Sequence, residues 1–451
     1  PSLREYELAC RDARRASCRF NLGTNSTLKR WQFPFSRWLP EYKNPGTIRA
    51  DLFAGLTGAI VVLPQGIAFA LLAGMPPHYG LYAAMLPCLI AALFGSSRLM
   101  VTGPANAISL TTMALIAPLA LPESNSYVHY VLTLSFLVGV LQLLFGLSKA
   151  GKWVEKVPHS VIIGFTTGAA ILIINSQLGT LFGVNIPKGK NVLDTISTLL
   201  SALQAGQWHV TAPSLVVFTL LIIRLWRPLN RYIPAMLVAV ILGSLAAASL
   251  ENLLPTMGLF KKVQEIPGAF PPISYPDLST ETLQKLFSAA IIMTLLASTE
   301  AMAIARAIAL KTKDHFNANQ EFIGQGLANV CGAFFSAYPA SGSFNRTGVN
   351  LASGAKTPLA AMSAAIFLVI LLAFVSPLAK HIPYVVIASL LLVVAWNLID
   401  VKQIRHEIKM GPRAWIPMLA TTIATITIPL EWAILGGILT AIVVKRLFQK
   451  H

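Results

Sequence analysis

The sequence predicts an all-α polytopic membrane protein with fourteen transmembrane segments, arranged as two inverted halves of seven. Three observations lead there: a hydrocarbon-rich composition, apolar runs of spanning length, and basic residues crowded on one side. Of the 451 residues, 55% are hydrophobic and 12% charged, about half the charge a soluble domain carries. Mean hydropathy is +0.65. So many apolar runs in one soluble chain would leave no polar exterior.

Taken in order, the clear runs are 53–73, 129–147, 159–174, 212–223, 233–250, 286–305, 357–379, 383–399, 414–428 and 432–444. A helix needs about 20 mostly apolar residues to cross the hydrocarbon. Two weaker stretches join them: 79–94, which contains Pro87, and 315–337, which is amphipathic. Two more are short and interrupted, "VTGPANAISLTTMALIA" at 101–117 and "SGSFNRTGVNLASG" at 341–354.

Net charge is +17, which by itself suggests acidic partners, but the placement of charge argues otherwise. With the N-terminus cytoplasmic and the spans alternating, ten of the 35 Lys and Arg fall in residues 1–50. Eighteen lie in other cytoplasmic loops and the tail, six lie outside, and Arg346 is left within a span. That asymmetry orients a protein in a bilayer, with both termini cytoplasmic at the plasma or inner membrane; it is not a nucleic-acid footprint.

The domain boundaries follow: a cytoplasmic arm at 1–50, a first repeat at 51–250, a proline-rich outer loop at 251–285, a second repeat at 286–447, and a tail at 448–451. Seven spans per half force the halves into opposite orientations. The arm is polar and basic and lacks the apolar core of a signal peptide. Cys10, Cys18, Cys88 and Cys331 show no paired or metal-ligand spacing, so neither cofactor nor metal is expected. "GLSKAGKW" at 146–153 mimics a phosphate loop but ends in Trp153 and follows an apolar run instead of a strand. No enzyme motif appears. The sequons at 25–27 and 345–347 fall in the cytoplasmic arm and a buried span, so neither counts.

The two short segments are each third in their half, and each opens with a small-residue, non-helical lead, "LMVTGP" and "AYPASG". Paired broken segments at matching places point to a transporter's binding site. Half-helices beginning near Pro104 and Ser343 would aim unpaired N–H groups and positive dipole ends at one spot. That makes an anion site. Arg346, in the first turn of the second half-helix, is unfavourable there unless an anion offsets it; the alternative is a structural arginine held by backbone carbonyls or by Glu300. Glu300 lies halfway along 286–308, and an intramembrane carboxylate beside a cation suits proton uptake and release. In the first span, a break is expected at Pro64, Gln65 and Gly66. Gln65 offers amide donors, and Phe69 sits one turn on, on the same face.

"DLFAGLTGAIVVLPQGIAFALLAGMPPHYGLYAAMLPCLIAALFGSSRLMVTGPANAISL" strongly resembles the opening of the SulP family of anion transporters, relatives of pendrin and prestin. "STEAMAIARAIA" and "SGSFNRTGVNLASGAKTPLA" resemble that family's eighth and tenth spans. The likeness runs from about Phe33 to Arg446. It implies spans one to four and eight to eleven as a mobile elevator core, with the rest as gate and homodimer scaffold. Carried over residue by residue, it implies an anion touched by Gln65, Phe69, Ala105, Ser343, Phe344, Asn345 and Arg346. Serine is usual at 345, so Asn345 departs from the pattern and bears on which anion is preferred. Sodium-coupled bicarbonate members carry Asp then Thr where this chain has Glu300 and Ile304. The missing oxygen ligand weakens sodium and favours protons. A C-terminal STAS domain, usual in the family, is expected to be absent from this chain.

The resulting expectation is secondary active, proton-coupled transport of a small inorganic oxyanion, sulfate first. Alternatives are a sodium-coupled bicarbonate or dicarboxylate transporter, a passive anion channel, and a nucleobase permease of the same fold.

Overall fold

The computed structural model describes residues 34–149, 158–186, 192–206, 208, 210–229, 233–253, 260–263, 266–312, 314, 316–428 and 430–447. The expectations for the arm up to residue 33, with Cys10, Cys18 and the first sequon, lie outside the described residues. So do those for the second half of the phosphate-loop mimic, for Lys188 and Lys190 among the six outside basic residues, and for the tail at 448–451.

A 3-10 helix, Pro34–Lys43, leads into α1 (Pro45–Leu72). Asn44 caps α1, its side-chain oxygen accepting the N–H of Gly46 at 2.9 Å, while Pro45 sits in the first turn where no donor is missed. There follow α2 (Pro77–Tyr82), α3 (Leu86–Phe94), β1 (Thr102–Gly103), α4 (Asn106–Ile116), α5 (Asn125–Leu147), α6 (His159–Phe182), α7 (Val192–Gln204), α8 (Thr211–Leu229) and α9 (Ala235–Leu253). After a proline-rich loop come α10 (Thr280–Thr312), α11 (Ala318–Ala333), β2 (Ser341–Gly342), α12 (Phe344–Ala352), α13 (Leu359–Ala379), α14 (Tyr384–Leu398), α15 (Val401–Lys409), α16 (Pro412–Thr427) and α17 (Leu430–Leu447). Eight stretches of described helix are long and apolar enough to cross a membrane, taking α2 with α3 and α14 with α15; α4, α7 and most of α8 are shorter apolar helices.

The break expected at Pro64 to Gly66 does not occur. α1 stays helical through all three residues, which are buried with their neighbours on both sides. An internal proline costs one hydrogen bond and some crowding, and burial of the surrounding turns holds the helix together regardless. Gly66 serves close packing instead, since a Cβ there would lie 3.1 Å from the carbonyl oxygen of Gly80 in α2.

Packing falls into two groups. α1, α3, α5, α10, α11, α12 and α13 pack on one another, and α6, α8, α9, α14, α16 and α17 form the second set, with α1 touching α9 and α14 between them. The first set is held by small residues. A Cβ on Gly326 of α11 would sit 2.8 Å from the carbonyl oxygen of Gly139 on α5, so these helices meet backbone to backbone, as lipid-embedded helices do when small residues line the contact. The proline-rich loop between α9 and α10 folds over this set: the Tyr82 hydroxyl donates to the Gly268 carbonyl at 2.9 Å, and the Ser274 N–H donates to the Phe334 carbonyl at 2.9 Å.

Candidate functional site

β1 and β2 form a two-stranded antiparallel ribbon, with Thr102 opposite Gly342 and Gly103 opposite Ser341. Each strand is two residues long and feeds a short helix. Because the strands run in opposite directions, α4 and α12 depart from opposite ends, and their N-termini face one another across the ribbon. The Ser343 N–H donates to the Val101 carbonyl at 3.0 Å, extending the register by one position. The caps Ala105 and Ser343 therefore stand four register positions apart, about 13 Å in extended strand.

The two helix starts differ. Ser343 caps α12, its hydroxyl accepting the Arg346 N–H at 3.5 Å. α4 has no side-chain cap, yet Ala105, Asn106, Ala107 and Ile108 are all buried. A buried helix end without a cap leaves N–H groups seeking an acceptor. Asn106 also carries a buried side-chain oxygen without a partner among the described residues.

Arg346 is 4% exposed. Its Nη1 donates to the Thr102 carbonyl at 2.9 Å, and its Nη2 contacts the Ala84 carbonyl at 3.4 Å and the Cys88 sulfur at 3.8 Å. The guanidinium thus reaches from α12 back to β1 and to the turn before α3. Among the described residues it forms no ion pair with a carboxylate; the carbonyl arrangement is present and the pairing with Glu300 is not. Gly103 makes room for it, since a Cβ there would collide with Nη1. From the other side, Tyr338, fully buried before β2, shares a 2.9 Å hydrogen bond with Ser109 of α4. Each broken segment is therefore anchored on the other.

The remaining candidates stand around this frame. Gln65 and Phe69 are buried on α1, which packs against both α4 and α12. The Gln65 amide nitrogen contacts the Met236 sulfur of α9 at 3.5 Å, and its oxygen has no partner among the described residues. Phe344 is half exposed and Asn345 partly so. Glu300 lies on α10, beside the turn that braces β2: the Ser341 hydroxyl donates to the Ala297 carbonyl at 2.7 Å. The Glu300 Oε2 is buried and has no partner among the described residues.

Sequence reasoning missed three buried carboxylates, Asp51, Glu321 and Glu407, of which the first two hold backbone turns near this frame. Asp51 at the start of α1 accepts the backbone N–H groups of Lys356 at 2.6 Å and Thr357 at 3.1 Å. Glu321 on α11 accepts those of Ser96 and Ser97, both at 2.8 Å. The signal for the second was present as Glu321, Gln325 and Asn329, polar residues four apart in a stretch of spanning length.

Comparisons with known proteins agree with this architecture. The chain is 31% identical over 412 residues to sulfate transporter 4.1, chloroplastic, of Arabidopsis thaliana, matching 90% of this chain and 59% of that protein. It is 30% identical to the putative sulfate transporter YvdB of Bacillus subtilis (87% of this chain, 72% of that protein). The chain spans about 60% of the length of the Arabidopsis proteins it matches. Among solved structures, the transmembrane domain of the cyanobacterial bicarbonate transporter BicA aligns with TM-score 0.74 and 27% identity, covering 88% of this chain and 97% of that one. Murine Solute Carrier 26 family member A9, an anion transporter, shares the fold with TM-score 0.84 at 23% identity (97% and 75%). The model of the sulfate permease family matches residues 48–444, and with it the ribbon, both half-helices and Arg346: the chain belongs to the sulfate permease family, a family of transporters.

Proposed function

We propose that the protein is a secondary active transporter of a small inorganic oxyanion, sulfate first, coupled to protons and working by elevator-type alternating access across a 7+7 inverted repeat. One observation carries the reading: a buried, uncapped helix N-terminus at Ala105 faces a second N-terminus across the ribbon, with an arginine that has no carboxylate partner among the described residues. Two converging dipole ends favour negative charge before any side chain contributes. Gln65, Phe69, Ala105, Ser343, Phe344, Asn345 and Arg346 are the residues assigned to the anion. Arg346 acts chiefly by locking β1 and by its field, with the backbone N–H groups as direct donors. Glu300, a buried acceptor left open one turn from the β2 brace, is assigned the proton.

The moving unit in this reading is the α1–α5 and α10–α13 set, sliding against the other helices as a homodimer scaffold, with both termini cytoplasmic in the plasma or inner membrane. A second reading, bicarbonate or dicarboxylate as substrate, is favoured by the similarity to a bicarbonate transporter. The same donors satisfy any small oxyanion. The test is uptake of labelled sulfate into proteoliposomes with a panel of unlabelled anions as competitors, under imposed pH and sodium gradients. Sulfate accumulation driven by the pH gradient is expected. Gradient-independent conductance, or uptake driven only by sodium, refutes the coupling, and uptake competed only by bicarbonate moves the assignment to the second reading.

A further inference from the structure

A ribbon of two residues per strand has too few ladder bonds to hold its own register; even longer isolated hairpins are marginal. Something outside the ribbon must fix it, and one helix touches both strand leads. Along α11, Glu321, Gln325 and Asn329 recur every four residues on one face, and all three are buried.

Their bonds divide the work. Glu321 Oε2 accepts the N–H groups of Ser96 and Ser97, both at 2.8 Å, fixing the turn that precedes β1. The Gln325 Nε2 spends both hydrogens, one on Glu321 Oε1 at 3.1 Å and one on the Thr102 hydroxyl of β1 at 2.8 Å. Asn329 grips the lead of β2 as a neighbouring strand would: its Nδ2 donates to the Ala340 carbonyl at 3.0 Å, and its Oδ1 accepts the Ala340 N–H at 2.8 Å. The same Nδ2 donates to Gln142 Oε1 of α5 at 2.9 Å. The stripe is itself rigidly seated, because Gly326 lies backbone to backbone on α5. α3, at the equivalent place in the first half, carries no such stripe: its residues are apolar apart from Cys88.

We infer that α11 is the positioning spine of the anion site, in which Gln325 on Thr102 and Asn329 on Ala340 fix the ribbon's register and so the separation of the two helix N-termini on which anion discrimination depends. This rests on the anion-site reading above. A one-residue slip moves an N-terminus by about 3.3 Å, enough to break hydrogen bonds to any anion that touches both ends. These are positioning residues: none of the three is assigned to the anion.

The experiment uses wild type, Gln325→Leu, Asn329→Leu and Thr102→Val in proteoliposomes. Readouts are sulfate KM, the order in which bicarbonate and dicarboxylates compete, and amide hydrogen exchange across residues 339–345. Exchange needs no transport, so it separates the two ideas. Each variant is expected to lose exchange protection, to raise KM about fivefold, the ratio expected for one neutral hydrogen bond, and to reorder the competitors. Thr102→Val deletes the Gln325 bond from the ribbon's side with little change of shape, so a poorly folding Gln325→Leu does not spare the inference. The double variant Gln325→Leu/Thr102→Val is expected to be no worse than either single. Wild-type protection in the folded variants overturns the positioning role whatever the substrate. Lost protection with wild-type KM and competitor order overturns the link to discrimination. No saturable anion uptake by wild type defeats the anion-site reading and, with it, that same link.

Discussion

Gly103→Ala perturbs the candidate site without touching a charge. The new methyl would occupy the position of Arg346 Nη1, which donates to the Thr102 carbonyl at 2.9 Å. Backbone on both sides pins residue 103, so the guanidinium must withdraw. Losing one hydrogen bond from a charged donor costs about 1.5–3 kcal/mol, and a side chain at φ +157° adds roughly 1 kcal/mol or more of backbone strain. The melting midpoint of the purified protein falls accordingly. The effect on substrate is electrostatic. For a singly charged anion about 4 Å from the guanidinium, withdrawal by about 2 Å at an effective dielectric of about 20 weakens attraction by roughly 1.4 kcal/mol, and by roughly 2.8 kcal/mol for the dianion sulfate, so sulfate KM rises about a hundredfold. Gly348→Ala, on the short helix α12 that carries Arg346 and with nothing within 4 Å of its Cβ position, is the control and keeps wild-type KM. The assay is initial-rate uptake into proteoliposomes, normalised to folded protein. A destabilised Gly103→Ala with KM within twofold of wild type refutes a role for the guanidinium in anion affinity.

Three further outcomes are expected. Glu300→Gln retains saturable anion binding but loses dependence of uptake on the pH gradient; gradient-driven uptake at the wild-type rate rules out Glu300 as the proton carrier. Gly326→Ala puts a Cβ 2.7 Å from the Leu143 amide nitrogen and 2.8 Å from the Gly139 carbonyl, an overpacked backbone contact worth about 1–3 kcal/mol, read as a lower melting midpoint; an unchanged midpoint means α5 and α11 are not closely apposed. In the loop before α10, Asp277 accepts from the Thr282 hydroxyl at 2.6 Å and from the Ser279 N–H and hydroxyl, and these bonds hold its carboxyl below the ordinary 3.8. A depressed carboxyl stabilises the fold above its unfolded value and loses that contribution as pH drops through its folded value. Melting curves taken from about pH 6 to about pH 3 should therefore converge for wild type and Asp277→Asn at the acid end, and a constant offset would contradict the assignment.

Much of this was legible in the residues because hydrocarbon periodicity and broken leads are local properties. The starts expected near Pro104 and Ser343 fall within two residues of α4 and α12. Gln65 and Phe69 were placed on one face of the first span, and both are buried on α1. What was not legible is tertiary. The break at Pro64 failed because burial of neighbouring turns outweighs one lost bond. The Arg346 partners are carbonyls of Thr102 and Ala84, and backbone acceptors carry no signature in a sequence. Glu321 and Asp51 looked like ordinary charges near span ends; their burial depends on loops that return from the other half of the chain. The amphipathic helices α7 and α15 fall outside the apolar runs read from the sequence and were not anticipated.

The bond from Arg346 to Thr102 joins residues 244 positions apart. At roughly 5–20 residues per second, the first broken segment leaves the ribosome about 10–50 s before the one that completes it. During that interval its strand edge and its uncapped helix end stay unmated inside the bilayer. The candidate site is thus completed only once the second broken segment has been made, and a chain halted between residues 117 and 339 carries one strand of the ribbon without its partner.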